Sequence, residues 1–201
     1  MLEIKNIQVF SLERSSIAAG NSMTVGEINT LRQFGKNDEE RFIKLGKTAS
    51  GCGHDNFLKG IIVQFDIKYP QYWTPEAQRY HWLEIVSSQS KMHKLTVAGL
   101  DKDFDNYFNK YVDSDNIARI QEYVKQYNNE IDNEKKYFLF MKIISNLPMG
   151  YEMWETITTN YLQLKTIYKQ RKNHKLKEDW GAFCAMIENL PMADIIFSDG
   201  S

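Results

Sequence analysis

The feature that most constrains this chain is a segment in which apolar and polar side chains alternate. Over residues 60–69 every second residue is apolar, at Ile61, Val63, Phe65, Ile67 and Tyr69. A period of two puts these side chains on one face of a β-strand and the polar ones on the other. The sequence therefore predicts a strand over 60–69 with one buried face. A second strand is predicted over 2–11, where the apolar residues change face near Asn6, as they do at a bulge or an edge.

Capping residues predict two helices in the N-terminal half. Thr24 and Glu27 form a capping box before an apolar run that Gly35 ends. Thr74-Pro75-Glu76 supplies a capping hydroxyl, a proline at the first helical position and a carboxylate at the positive end of the helix dipole. This second pattern predicts a helix that starts at Thr74 and runs towards Glu84.

Apolar residues at helical spacing dominate the C-terminal half. They predict helices with apolar stripes over 104–111, 117–131, 153–168 and 180–187. Leu147-Pro148 ends the helix before the third stripe, because a residue before proline is pushed out of the α region. The sum is an α+β fold, a small antiparallel sheet packed with several helices, in a single domain over residues 1–201.

Composition and charge argue against several functions. The chain has 25 Lys and Arg against 26 Asp and Glu, so it lacks the excess of cations that a general nucleic-acid binder uses. Its two cysteines are too few and too far apart for a disulfide framework or a four-ligand zinc site. The apolar run at 137–141 is far short of the roughly 20 residues that cross a bilayer, and the N-terminus lacks a signal pattern. We therefore expect a cytoplasmic protein with no membrane, nucleic-acid or metal partner.

A glycine-flanked corner, Gly51-Cys52-Gly53-His54, directly precedes the predicted strand. Here the backbone can approach a ligand closely and the imidazole can project into a cleft. A plain glycine turn with a surface histidine explains the same residues. Cys52 and His54 as metal ligands are a third possibility, which requires two further ligands at suitable spacing.

Two polar segments follow the strand. Arg79-Tyr80-His81-Trp82 lies on the predicted helix, and Ser87-Ser88-Gln89-Ser90-Lys91 forms a predicted hydroxyl-rich turn. Hydroxyls, the Gln89 amide and backbone N–H groups can bind a phosphate or a nucleobase, with charge from Arg79 or Lys91. A polar loop beside a satisfied core histidine is the alternative. No Ser, His and Asp order suggests a hydrolase triad.

Asn160 and Arg171 lie eleven positions apart on the predicted long helix. A rise of about 1.5 Å per residue separates them by roughly 16 Å on a shared face. A large ligand, or two ligands end to end, could contact both. The alternative is a solvated polar face that carries Lys165, Lys169, Arg171, Lys172 and Lys175. This basic run could also attract nucleic acid, although few aromatic residues lie along it for stacking.

Taken in order, these segments resemble the flavin-dependent thymidylate synthases over roughly residues 50–190. Gly53-His54-Asp55 and the following strand resemble the family's Gly-His-Glu segment and its strand. Leu147-Pro148, Thr159-Asn160 and Arg171 reproduce the spacing of its C-terminal block. The family signature is Arg-His-Arg, seven residues, then Ser. Tyr80-His81-Trp82, seven residues, then Ser90 fits that spacing with both arginines replaced, and an alignment shifted by one residue places Arg79 on the first arginine.

The resemblance implies a compact homotetramer with active sites between subunits. FAD, reduced by NADPH, would carry a one-carbon unit from methylenetetrahydrofolate to C5 of a pyrimidine deoxynucleotide, and no side-chain nucleophile is implied. Arg171 would be the catalytic residue that polarises the pyrimidine. It would also bind the substrate, together with Arg79, Ser88, Gln89 and Ser90. The flavin pocket would be lined by His54, Asn56, His81, Asn160 and Thr166.

The chain departs from the family pattern at several charged positions. Lys59 stands where the family has a Glu, Leu162 and Met92 where it has arginines, and Lys175 where a His is common. Each lost charged hydrogen bond removes about 1.5 to 3 kcal/mol from binding of the usual ligands. Two other functions therefore stay open. One is a non-catalytic nucleotide- or flavin-binding protein of the same fold, and the other is a helical interaction protein.

Overall fold

The computed structural model describes residues 2–197, and its centre is a four-stranded sheet. The strands are β1 (Glu3–Phe10), β2 (Ile62–Pro70), β3 (Glu84–Ser88) and β4 (Glu152–Asn160). Their order is β1-β2-β4-β3, and all neighbours are antiparallel. This confirms the predicted α+β class with a small antiparallel sheet.

Both predicted strands are present. In β2, the side chains of Val63, Phe65 and Ile67 are buried, while the residues between them are half-exposed. In β1, the register shifts between Lys5 and Gln8, and Asn6 has a positive φ of 54°. The predicted change of face near Asn6 is therefore a bulge.

Nine α-helices surround the sheet within residues 2–197. They are α1 (Leu12–Ala18), α2 (Lys36–Gly46), α3 (Thr74–Ala77), α4 (Lys91–Ala98), α5 (Ser114–Asn129), α6 (Asn133–Asn146), α7 (Tyr161–Arg171), α8 (Lys177–Glu188) and α9 (Asp194–Phe197). Short 3-10 turns cover Asn21–Met23, Asn56–Gly60, Gln71–Trp73 and Phe104–Tyr107. The prediction that Leu147-Pro148 ends a helix is confirmed, because α6 stops at Asn146. No helix among these residues has the length and apolar character needed to span a bilayer.

The apolar residues form two clusters. The first lies between the inner face of the sheet and helices α2, α7, α8 and α9, and it is rich in aromatic side chains. Trp73 lies 5.0 Å from Trp180 between ring centroids, and Phe65 lies 5.9 Å from Phe183. The second cluster joins α4, α5 and α6. It reaches the sheet through an antiparallel bridge between Phe108 and Tyr151, just before β4.

The predicted helix over 24–35 is wrong. This segment contains no helix, and Val25 and Leu31 are 99% and 80% exposed. The first α-helix after this segment, α2, begins at Lys36, where the Asp38 carboxylate accepts the Gly35 N–H. Arg32 also donates two hydrogen bonds to Asp38, at 2.5 and 2.6 Å, and these bonds hold the pKa of Asp38 at about 2. Asp38 thus both caps the first turn of α2 and pairs with Arg32 from the preceding segment.

The helix predicted from Thr74 towards Glu84 is also wrong beyond Ala77. The chain turns over 78–83, where Tyr80 and Leu83 are buried, and then enters β3. Ser87 and Ser88 therefore lie on an edge strand rather than in the predicted turn.

The first half of the predicted helix over 153–168 is a strand, β4. Met153, Ile157 and Tyr161 are spaced by four residues, which fits a strand as well as a helix. The run of β-branched residues over 156–159 favours the strand, and the helix begins only at Tyr161.

Two smaller predictions, for the chain between α4 and α6, are also wrong. The stripe over 104–111 forms only the 3-10 turn Phe104–Tyr107. Ile131 lies beyond the end of α5 and is 92% exposed, so it is not on the buried face of that helix. The last predicted helix, with Trp180, Phe183 and Ile187 buried, is confirmed as α8.

Candidate functional site

One end of the sheet gathers several of the predicted flavin residues. We call it the Asn160 end, where β4 finishes and β2 and β3 begin. Asn160 pairs with Ile62, and Thr158 pairs with Glu84. Asn160 is 4% exposed, and its side-chain oxygen accepts the Gln163 N–H at 2.9 Å, which caps α7. Its amide group is thereby fixed at the junction of strand and helix.

The signature-like segment runs alongside α7. At one end, the Tyr80 hydroxyl donates to the Gln170 side chain at 3.1 Å. At the other, the Trp82 N–H donates to the Gln163 side chain at 3.4 Å. His81 lies between them and is exposed, and its ring centroid is 5.4 Å from that of Trp82. The fold therefore lays residues 80–82 against the helix of the C-terminal block, although not as a helix.

The glycine corner is anchored to α7 by a buried ion pair. Asp55 is 1% exposed, and its carboxylate lies 3.0 Å from the ammonium group of Lys165, which is 3% exposed. Lys165 also donates to the carbonyls of Gly46 and Thr48, at 2.8 and 2.5 Å. The alternative interpretation of this helix as a solvated face is wrong for Lys165, because its ammonium group is fully enclosed by these three acceptors. The charge run alone gave no signal for this burial.

The predicted flavin residues next to the Asp55–Lys165 ion pair keep their side chains near solvent. His54 and Asn56 are exposed, and Thr166 is half-buried, with its hydroxyl donating to the Leu162 carbonyl at 3.2 Å. Gly51 and Gly53 have φ values of +90° and +85°, which explains why glycines flank the corner. Among residues 2–197, no three His, Cys, Asp or Glu side chains are grouped so that they could hold a metal ion.

Ser88, Gln89 and Ser90 lie at the opposite end of the sheet. Ser88 pairs with Glu155, five residues before Asn160, which separates the two groups by about 17 Å along the strand. Gln89 is tied to Trp154, since its backbone N–H donates to the Trp154 carbonyl and its side-chain oxygen accepts the Trp154 N–H. The Ser90 hydroxyl accepts the His93 N–H at 3.2 Å and caps α4.

A cavity of about 400 Å³ opens on the outer face of the sheet beside Ser88 and Gln89. Trp154 forms part of its wall, and the Lys5 ammonium lies 3.7 Å from the centre of that ring. Asp66, also in the wall, accepts hydrogen bonds from Asn6 and Thr156, which lower its pKa. Hydrogen-bond donors, acceptors and an aromatic ring thus meet at this end of the sheet.

Arg171 is buried in a cluster of its own, 8% exposed at the end of α7. Its Nε donates to the Tyr80 hydroxyl at 2.6 Å, and its Nη1 lies 2.7 Å from Oε2 of Glu76. The guanidinium also lies over the Trp180 ring, 4.7 Å from the centroid. Tyr80, which the resemblance aligns with a signature arginine, is thus a direct partner of Arg171.

Glu76 is the residue that sequence reasoning missed. The sequence indicates only a carboxylate at a helix N-terminus, whereas in the structure it faces Arg171, Arg79 at 3.8 Å and His174 at 4.0 Å. Burial raises the pKa of Glu76, yet the hydrogen bond from Arg171 and the charge of Arg79 leave that pKa below its usual value. A buried arginine needs a carboxylate, but no spacing in the sequence identifies which one.

One chain therefore brings the predicted residues together as three groups. His54, Asn56, His81, Asn160 and Thr166 lie around the Asn160 end of the sheet and α7. Arg79 and Arg171 lie at the far end of α7, and Ser88, Gln89 and Ser90 lie at the other end of the sheet.

This arrangement has the fold of flavin-dependent thymidylate synthases. The thymidylate synthase ThyX of Helicobacter pylori, in a structure with FAD and dUMP, superposes with a TM-score of 0.70 at 15% identity, covering 99% of this chain and 98% of that one. A second ThyX structure from the same organism, also with FAD and dUMP, has a TM-score of 0.66 at 16% identity, with 99% and 98% coverage.

A related nucleotide methylase has the same fold. The UMP/dUMP methylase PolB of Streptomyces cacaoi, bound with 5-Br dUMP, has a TM-score of 0.64 at 10% identity, covering 100% of this chain and 96% of that one. No protein-family model and no curated protein matches the sequence. The fold that the resemblance implied is therefore confirmed, at sequence identities that establish the fold alone.

Proposed function

We propose that this protein is a flavin-dependent enzyme that transfers a one-carbon unit to C5 of a pyrimidine deoxynucleotide. The observation that carries the proposal is the match over 99% of the chain to a structure that holds both FAD and dUMP. The position of residues 80–82 along α7 supports it, because the same helix is capped by Asn160 and ends at Arg171.

The exposed side chains at the Asn160 end fit a flavin. Trp82 is 54% exposed and offers a ring for stacking, while His54, Asn56 and His81 offer hydrogen-bonding groups to solvent. When bound, FAD would supply the redox chemistry, with NADPH as reductant and methylenetetrahydrofolate as one-carbon donor. Asn160 and Thr166 would complete this pocket from α7.

The nucleotide would be held by two sets of side chains, one neutral and one cationic. Ser88, Gln89 and Ser90 lie about 17 Å from Asn160 in one chain, so we propose that they reach the flavin pocket of a neighbouring subunit in a homotetramer. Arg171 is our candidate for the contact with the pyrimidine ring, where a hydrogen bond would steady the charge that develops on the ring during transfer. Arg79, which is exposed, would lie nearer the phosphate.

The visible spectrum of the purified protein tests the proposal. We expect a yellow protein after incubation with FAD, whose colour fades on anaerobic addition of NADPH and which methylates dUMP when methylenetetrahydrofolate is present. A protein that stays colourless with FAD contradicts the proposed enzyme. A test variant is His81→Ala, which removes an exposed side chain without a core contact. It is expected to fold and to retain flavin more weakly.

A non-catalytic nucleotide- or flavin-binding protein is the second candidate. It is favoured by the pairing of Arg171 with Glu76 and Tyr80, which leaves little of that guanidinium for a ligand. The same experiment separates the two, because this candidate binds FAD or dUMP without turnover. If neither ligand raises the melting temperature, an interaction protein becomes the better explanation.

A further inference from the structure

The Tyr80 hydroxyl links two neighbouring side chains at the end of α7. It accepts a hydrogen bond from Nε of Arg171 at 2.6 Å and donates one to the Gln170 side chain at 3.1 Å. An arginine can only donate, so the hydroxyl must accept from it and has its own hydrogen left for Gln170. Tyr80 is 6% exposed, and burial raises the pKa of its hydroxyl, which keeps that hydrogen in place.

The nitrogens of the Arg171 guanidinium are restrained unequally. Nε is held by Tyr80, and Nη1 lies 2.7 Å from Oε2 of Glu76. The Trp180 ring lies against one face of the group. Within residues 2–197, Nη2 makes only a long hydrogen bond of 3.5 Å, to the Glu76 carbonyl. All three nitrogens carry N–H donors, so Nη2 has the most capacity left for a ligand.

Tyr80 also joins Arg171 to the segment that we assign to the flavin. His81 follows it directly in sequence and is exposed, whereas Tyr80 itself is buried. The next residue is held as well, since the Trp82 N–H donates to the Gln163 side chain of α7. One hydrogen bond and one peptide unit therefore connect the guanidinium to an exposed candidate for flavin binding.

We propose that Tyr80 is a positioning residue, whose hydroxyl holds the Arg171 guanidinium so that Nη2 faces the pyrimidine ring. Without the hydroxyl, a buried Nε–H would lose its acceptor, and the guanidinium would turn to find another. A donor that steadies charge on a reacting ring must be placed beforehand, so this turn would weaken its contact with the ring. The inference rests on the proposed function, because it takes Arg171 as the contact with the pyrimidine.

Calorimetric titration of Tyr80→Phe tests the proposal. The substitution keeps the ring, whose centroid lies 6.1 Å from that of Trp180, and removes only the hydroxyl. With FAD present, we expect dUMP to bind about tenfold more weakly than to the native protein, as for one charge-assisted hydrogen bond. Deoxyribose 5-phosphate, which lacks the pyrimidine, should bind to both proteins equally. We expect kcat to fall by more than the dUMP affinity, since the charge on the ring develops only during transfer.

Two comparisons show whether Tyr80 acts through Arg171. In an Arg171→Gln background, Tyr80→Phe should change the dUMP affinity by less than about twofold, because the group that it positions is gone. The matched control is Tyr161→Phe at the other end of α7. It also removes the hydroxyl of a buried tyrosine, one that donates to the Pro191 carbonyl, and it should leave the dUMP affinity unchanged. Circular dichroism melts show which variants are folded.

Gln170→Ala covers the case in which Tyr80→Phe does not fold. Gln170 is exposed, and its removal frees the Tyr80 hydroxyl to rotate, so dUMP should bind about two- to fivefold more weakly. An unchanged dUMP affinity in this variant then overturns the inference.

Three results for folded Tyr80→Phe also overturn it. They are an unchanged dUMP affinity, an equal loss for dUMP and deoxyribose 5-phosphate, and the same loss of dUMP affinity in the Arg171→Gln background. Each leaves the proposed function intact, because the native protein still binds FAD and dUMP. If the native protein with FAD does not bind dUMP, the proposed function fails and the inference fails with it.

Discussion

At the scale of single residues, Lys165 shows how a cation can be an internal support of a site. Its ammonium group holds together the end of α2, the segment after it and Asp55, which directly follows His54 in sequence. A charge in the interior is tolerated only when acceptors surround it. The position of the His54 corner therefore depends on a residue more than a hundred positions away in sequence.

Removing Asp55 should expose this dependence. We expect Asp55→Ala to lower the free energy of unfolding by about 3 to 5 kcal/mol, since it leaves the buried Lys165 charge without its counterion. Urea denaturation measures the change. The matched control is Glu40→Ala, which breaks an exposed pair with Lys36 and should cost no more than about 0.5 kcal/mol. Equal small losses in both variants would show that the buried pair does not support the fold.

The residue scale also shows what the sequence can and cannot predict about the site. Spacing and resemblance pointed to Arg171, Asn160 and Ser90, since these are properties of local motifs. They could not pair Arg171 with Glu76, because the two lie 95 positions apart and meet only when residues 76–82 are laid along α7. Contacts of this kind depend on the tertiary fold, which the spacing of local motifs does not encode.

At the scale of elements, the bulge in β1 is set by one backbone conformation. Asn6 has a φ of 54°, in the left-handed region, and its side-chain amide donates to the Asp66 carboxylate at 2.7 Å. Asparagine tolerates this region better than other residues with a side chain, and glycine tolerates it best. The change of apolar face that predicted the bulge has this conformation as its cause.

Two substitutions of Asn6 separate the effect of its backbone conformation from that of its side-chain hydrogen bond. We expect Asn6→Val to destabilise the protein by about 1 to 3 kcal/mol, because a β-branched residue is strained at positive φ. Asn6→Gly keeps the conformation and loses only the hydrogen bond to Asp66, so its cost should be clearly smaller. Thermal melts of both variants give the comparison, and a glycine variant as unstable as the valine one would contradict a role for φ.

Helices and strands were predicted well where the sequence pattern fitted one of them, and poorly where the spacing of apolar residues fitted both. The strict alternation of β2 and the proline after α6 admit one interpretation each. The spacing of Met153, Ile157 and Tyr161 fits both a strand and a helix. The β-branched run over 156–159 and the strands that pair with β4 on both sides favour the strand. The Thr24 and Glu27 pattern forms no helix, and Arg32 in the same segment donates to Asp38 of α2.

At the scale of the whole molecule, the separation of Ser88 from Asn160 favours a proposed site that is shared between chains. The two groups lie at opposite ends of the sheet, and nothing within residues 2–197 places them side by side. The homotetramer implied by the resemblance stays a prediction, and light scattering of the purified protein would measure it.

Mixing two defective variants tests whether sites are shared between subunits. We expect Ser88→Ala and His81→Ala each to lower activity and mixed oligomers of the two to recover part of it, because some sites then combine two intact surfaces. Both side chains are exposed, so neither change should unfold the protein. Mixed oligomers no more active than the average of the parents would place the whole site in one chain.

The division of the apolar residues into two clusters has a consequence for how the sequence of this protein can diverge during evolution. The hairpin of α5 and α6 has its own interior and reaches the sheet through Phe108 and Tyr151. Lengthening the connection between those helices leaves the register of the four strands untouched. We therefore expect the connection between α5 and α6 to tolerate insertions, while the sheet and α7 keep the geometry of the proposed site.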